Sequence, residues 1–148
     1  MLYSKVLGTG GFLPEKVLTN KDLEKIVDTS DEWIQKRAGI SERRVTSGEQ
    51  TVIDLALPAA KQAIADSNLD VNSIDMVIVA TSTPQMYFPS TACFLSHALG
   101  ITSNAPAFDM NAACGGFVYA LSVADQFIKT VQCRQCGGGN HSAITAIP

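Results

Sequence analysis

The stretch Ile74-Asp75-Met76-Val77-Ile78-Val79-Ala80 is β-branched and apolar, with little alternation of polar and apolar residues. A strand of that kind is expected where both of its faces are covered, as in a sheet layered between helices. The preceding segment can supply such a layer. From Thr51 to Asn68, Val52, Leu55, Ala56, Ala59, Ala60, Ala63 and Ile64 recur at helical spacing, with Pro58 a local irregularity. A helix followed by a covered strand predicts α/β layering.

The flanking segments extend that pattern. Lys5 to Gly10 reads as a short apolar strand, stopped by Gly10-Gly11 and Pro14. Asn20 can cap a short helix in which Leu23, Ile26 and Val27 share a face. Ser30 can cap a second helix, with Asp31 and Glu32 in the first turn, where the helix dipole favours acids, and Gly39 at its end. Pro84 to Pro89 reads as a loop carrying Tyr87 and Phe88. Ser90 to Leu99 reads as a helix ended by Gly100, and Ala105 to Met110 as a strand. Phe117, Ala120, Leu121, Ala124, Phe127 and Ile128 then stripe a helix running to about Thr130. Val118, Tyr119 and Val123 widen the stripe until this helix is nearly apolar all round, as expected of one buried in the middle of a large fold.

Hydrophobic residues at 46% and charged residues at 17% fit one globular domain rather than a disordered linker. A net charge of -3, with no Lys/Arg run beyond Arg43-Arg44, gives no electrostatic footprint for nucleic acid or an anionic membrane. Met1 to Gly8 lacks the features of a signal peptide, and no apolar run approaches the roughly 18 residues of a membrane span. The expected compartment is therefore the cytoplasm. There Cys93, Cys114, Cys133 and Cys136 should stay reduced, as buried thiols, ligands or a nucleophile.

Cys114 is placed for chemistry. Asp109-Met110-Asn111-Ala112-Ala113-Cys114-Gly115-Gly116-Phe117 sets it between a strand and a helix start. Unpaired backbone N–H groups and the positive end of a helix dipole there stabilise a thiolate and the oxyanion of an acyl-transfer intermediate. Gly115 and Gly116 would let the backbone approach a thioester closely. The local sequence also allows Cys114 to be a small buried hydrophobe, since no His partner lies within the motif.

From Lys5 to about Lys129 the chain resembles the 3-oxoacyl-[acyl-carrier-protein] synthase III family of the thiolase superfamily. Five segments carry the resemblance: Gly8-Thr9-Gly10 with Leu13-Pro14-Glu15; Asp28 to Ile34; Arg37 to Arg44; Phe88 to Cys93; and Ala107-Phe108-Asp109 leading to Ala112 to Phe117. Of these, Asp28-Thr29-Ser30-Asp31-Glu32-Trp33-Ile34 is the most specific to the family. The resemblance implies an α/β fold, the N-terminal half of a thiolase-like layered architecture, truncated before that half is complete. It implies a decarboxylative condensation of acyl-CoA, acetyl-CoA being the expected one, with malonyl-[acyl-carrier-protein] to begin fatty acid synthesis. Cys114 would be the nucleophile, and acyl-CoA a substrate rather than a cofactor. Trp33 and Arg37 would hold the adenine and phosphate end of coenzyme A, with Thr29 beside them. This agrees with an indole face that stacks on a base and a guanidinium that pairs with phosphate. Without the resemblance, Trp33 reads as a core aromatic and Arg37 as its i+4 neighbour on a solvated face. Phe88 would cross a homodimer interface to line the partner's acyl pocket, or else simply anchor its loop.

The family's Cys-His-Asn triad takes its His and Asn from the second half of a chain roughly twice as long. His97, mid-helix, and His141 match neither. Residues 1–130 are thus expected to form an incomplete thiolase-like domain, inactive by itself. Residues 131–148 form a tail of different character, which raises the expectation of a shifted reading frame near Thr130. Two other readings stay open. One is a noncatalytic acyl-CoA-binding fragment. The other is a zinc-knuckle-like tail built on Cys133-x2-Cys136-x4-His141, with three of the four ligands such a site needs.

Overall fold

A computed structural model describes residues 4–130, with the backbone of residues 143–147. In chain order the elements are β1 (Val6–Gly11), β2 (Val17–Thr19), α1 (Asn20–Leu23), α2 (Asp31–Ala38), β3 (Glu42–Arg44), α3 (Val52–Ser67), β4 (Val77–Ala80), α4 (Thr91–Leu99), β5 (Ala107–Met110), α5 (Gly116–Lys129) and β6 (Ala143–Ile147). Short 3-10 turns at Val71–Ser73 and Ala113–Gly115 precede β4 and α5. The expected α/β class is observed. The chain divides into a smaller unit, Leu13–Gln50, and a larger one made of the described residues on either side of it.

In the larger unit, β4 and β5 pair in parallel, from Val77 opposite Ala107 to Ala80 opposite Met110. Val77 and Val79 point into a core shared with Ala56 and Ala60 of α3 and Ala92 and Leu95 of α4. Ile78 and Ala80 are only half-buried. The strand is shorter than its apolar run because Asp70, whose carboxylate accepts from the Asn72 N–H, holds a turn just before Ile74. Helix α3 follows the expected bounds. Thr51 and Asp54 form a reciprocal capping box at its start, and Asn68 ends it in the left-handed conformation. The helix continues through Pro58. Its alanines Ala59 and Ala63 are fully buried, and β1 lies so close to them that a Cβ on Gly8 would collide with the Ala63 carbonyl oxygen and one on Gly10 with that of Ala59. Strand β6 runs parallel to β1, with Thr9 opposite Thr145 and Gly11 opposite Ile147. It falls within the stretch read as a tail of different character.

Helix α5 departs from expectation. Its buried residues are Gly116 and Ile128, while Phe117, Val118 and Tyr119 are exposed. A pattern apolar all round records what the sequence can bury, and among the described residues that first turn stays open to solvent.

In the smaller unit β2 and β3 pair antiparallel, Val17 opposite Arg44 and Thr19 opposite Glu42. These strands, three residues each, are too short to show a two-residue period, and β3 is charged throughout. Thr19, rather than Asn20, caps α1, forming a capping box with Asp22. Asn20 is drawn inward instead. Helix α2 is capped by Ser30, whose hydroxyl accepts from the Trp33 N–H, and ends at Gly39 with φ 66°, both as expected. Among the described residues no helix is long and apolar enough to cross a membrane.

Candidate active site

Two groups of side chains singled out by the sequence are described, one in each unit. In the larger unit, β5 delivers the chain to a 3-10 turn, Ala113–Gly115, that leads directly into α5. Cys114 sits in this turn as an exposed free thiol. Burial as a small hydrophobe, the alternative open at that position, is not what the structure shows.

The backbone around Cys114 differs in two ways from the sequence reading. Gly115 N–H donates to the Ala112 carbonyl at 3.0 Å, and the Gly116 N–H donates to that of Ala113, so these donors are engaged within the turn. Packing favours glycine at 116: a Cβ there would stand 3.2 Å from the Cβ of Ala80 at the end of β4, so Ala80 would have to give by a few tenths of an ångström. Ala113 has φ 44°, a left-handed conformation that costs a non-glycine residue of order 1 kcal/mol. No pattern in the sequence marks Ala113, because alanine carries no preference for that region.

Asp109 is a further residue that sequence reasoning did not assign. Its carboxylate accepts from the N–H groups of Thr91 at 2.7 Å and Ala92 at 2.8 Å, at the start of α4. Ser90 caps the same helix end through the Cys93 N–H. One carboxylate thus joins the strand leading to Cys114 to the helix following the Phe88 loop. An Asp before a cysteine turn, with Ser-Thr at a helix start, is the available signal, but the pairing is long-range. Phe88 precedes Pro89 by a cis peptide and is 89% exposed. His97 lies exposed in the last turn of α4.

In the smaller unit, Asp28, Thr29, Ser30 and Trp33 line an open cavity of about 330 Å³. Trp33 is 58% exposed, so the core-aromatic reading fails; Ile34 beside it takes the buried position. The Arg37 guanidinium carbon stands 5.8 Å from the Trp33 ring centroid, a cation–π arrangement across one helical turn. Thr29 is half-buried at the cavity edge. The arrangement offers an exposed aromatic face, an exposed cation one helical turn away and an open pocket, parts that can hold a base and a phosphate. Among the described residues no cluster of His, Cys, Asp and Glu could hold a metal ion. Cys133, Cys136 and His141, and the proposed frame change, lie outside the described residues.

Residues 108–138 match the family described as 3-oxoacyl-[acyl-carrier-protein (ACP)] synthase III. The chain is 56% identical over 129 residues to beta-ketoacyl-[acyl-carrier-protein] synthase III of Thiobacillus denitrificans, covering 87% of this chain and 40% of that protein. It is 57% identical over 129 residues to the protein of the same name from Aliivibrio fischeri, covering 87% and 40%. Its structure is similar to the crystal structure of 3-oxoacyl-[acyl-carrier-protein] synthase III from Aquifex aeolicus VF5, with TM-score 0.81 and 53% identity over 87% of this chain and 41% of that one. The chain therefore spans about 40% of the length of these relatives.

Proposed function

We propose that the chain is the N-terminal part of a 3-oxoacyl-[acyl-carrier-protein] synthase III, the acyltransferase family to which it is similar at 56% identity over 129 residues, and that it supplies the acyl-transfer portion of a condensation that begins fatty acid synthesis. The observation that carries this reading is the exposed Cys114 thiol in the turn between β5 and α5, within the segment matched by the family.

In the proposed reaction the Cys114 sulfur attacks the thioester carbonyl of acyl-CoA. A new thioester bond forms to Cys114, the bond to the coenzyme A sulfur breaks, and coenzyme A leaves as a thiol with the proton that Cys114 gives up. Malonyl-[acyl-carrier-protein] then loses carbon dioxide, and the enolate carbon left on its thioester, which keeps the electron pair of the broken bond, attacks the acyl-Cys114 carbonyl. A carbon–carbon bond forms as the thioester bond to Cys114 breaks, the 3-oxoacyl group stays on the carrier protein, and the Cys114 thiolate that leaves takes up one proton from water. In the family a His and an Asn, which no residue of this chain matches, stabilise the enolate of the second step.

Trp33 and Arg37 are proposed to hold the adenine and phosphate end of coenzyme A, with Thr29 at the edge of the same cavity. The cation–π pair and the 330 Å³ opening support that role. Phe88 is proposed to reach a partner subunit, and its exposure supports the reading.

The test is intact-mass measurement of the purified chain after incubation with acetyl-CoA. One acetyl group is expected on the parent and none on Cys114→Ser. Coenzyme A binding with no transfer to Cys114 would favour a noncatalytic binder, and an unmodified chain that also fails to bind would overturn both readings.

A further inference from the structure

Asn20 was expected to cap a short helix, yet it is 1% exposed and its side-chain amide is engaged at both ends. Its Nδ2 donates to the Asp31 carboxylate at 2.6 Å and to the Ile40 carbonyl at 2.8 Å. Its Oδ1 accepts from the Arg43 guanidinium at 2.7 Å, and its backbone N–H donates to the Ser41 carbonyl at 3.2 Å.

The partners matter more than their number. Asp31 is the first residue of α2, and Ile40 directly follows Gly39, which ends it. One buried amide therefore grips both ends of the helix that carries Trp33 and Arg37. That helix has only Ile34 as a buried residue. A helix this short is marginal alone, and besides Ile34 and the Asn20 contacts its ties are exposed ones, the Asp31 N–H donating to the Glu24 carboxylate at 2.7 Å and the Gln35 side-chain amide to the Ser41 hydroxyl at 3.0 Å, where water competes. Buried polar contacts with fixed donors and acceptors hold it more firmly, because any rotation leaves a group unpaired away from water.

We propose that Asn20 is a positioning residue, holding α2 so that the Trp33 ring and the Arg37 guanidinium present one preformed face to coenzyme A. This rests on the ligand role given to those two side chains above. Asp at position 20 keeps the shape but has no donor for Ile40 and turns a carboxylate toward Asp31. Arg43 alone would then hold the side chain, from the β3 side.

Trp33 is the one tryptophan in the chain, so its emission reports this face directly. Coenzyme A is titrated against the parent, Asn20→Asp and Thr19→Ala, with ligand-free Trp33 emission and far-UV circular dichroism recorded for each. Thr19→Ala removes the α1 cap, and the Thr19 side chain bonds to Asp22 rather than to α2. It is the control for general destabilisation. Asn20→Asp is expected to weaken coenzyme A binding about tenfold and to shift the ligand-free emission, with helix content unchanged. Thr19→Ala is expected to lower the unfolding temperature and leave both Trp33 readouts at parent values. Should Asn20→Asp fail to fold, Arg43→Gln, which weakens the hold on the Asn20 Oδ1, is expected to show the same change at about threefold. Parent-like affinity and emission in the folded Asn20 or Arg43 variant would overturn the proposal, as would an equal loss in Thr19→Ala. A parent that does not bind coenzyme A would instead overturn the ligand role of Trp33 and Arg37, and the ligand-free emission would still decide whether Asn20 sets their geometry.

Discussion

The exposure of Cys114 depends on the residue before it. Ala113 turns the chain with φ 44°, so that the thiol stands in a tight turn just before α5. Ala113→Gly relieves that strain but adds freedom to the unfolded chain, and the two effects offset to within about 1 kcal/mol. Ala113→Val places a β-branched side chain where it is least tolerated, and should cost about 2 kcal/mol in denaturant unfolding and alter the alkylation rate of Cys114. Equal stabilities for the two variants would show that the backbone is not held there. Asp22 allows a second test at this scale. The Thr19 hydroxyl, then the Lys25 ammonium, then the Thr19 N–H lower its carboxyl to about 2 from the model-peptide value of 3.8. Its folded value lies below its unfolded value, so the stabilising effect is complete above pH 3.8 and is lost as the pH falls through about 2. Thr19→Ala should raise the Asp22 midpoint toward 3.8, as read from its carboxyl NMR shift on acid titration. An unmoved midpoint would transfer the effect to Lys25.

The elements were legible where a local rule sets them. Ser30, Thr51 and Ser90 all appear where short polar side chains satisfy free N–H groups, and Gly39 and Gly100 end their helices with positive φ. Thr19 and Asn20 are both competent caps and adjacent in sequence; which one turns inward is decided by Asp31, Ile40 and Arg43, distant in the chain. Close approach between elements was equally hidden. Gly8-Thr9-Gly10 marks a family resemblance, but its physical cause is the carbonyl row of α3 against β1. Gly8→Ala and Gly10→Ala should each cost about 1–3 kcal/mol in unfolding free energy, because backbone must move to admit the methyl. Gly11→Ala has open space, and should stay within about 0.5 kcal/mol of the parent. Three equal values would mean that β1 does not pack on α3 as described.

Across the whole chain, sequence and structure divide the information unevenly. The strand–turn–helix setting of Cys114 could be read locally, whereas the roles proposed for Trp33, Arg37 and Phe88 rest on resemblance, since each also fits an ordinary packing role. Their exposure decides against that role for Trp33. Exposure of the first turn of α5 was beyond a periodicity argument, because an apolar helix reads the same whether or not its neighbours are present. The units also differ in what holds them. The larger has the contiguous cluster of Ala56, Ala60, Val77, Val79, Ala92 and Leu95, while in Leu13–Gln50 apolar burial is slight, at Pro14 and Ile34, and polar contacts such as those of Asn20 and Arg44 carry more of the hold. Apolar burial resists opening over many contacts at once, whereas a few polar ties open when one partner turns to water. Amide hydrogen exchange should therefore be slowest in α3 around Ala59–Ala63 and in β4, and faster throughout Leu13–Gln50. Asn20→Asp should speed exchange in α2 without reaching α3. Protection of α2 equal to that of α3 in the parent would show that Asn20 and its partners hold their unit as firmly as an apolar core, and Asn20→Asp should then collapse that protection over the whole of Leu13–Gln50.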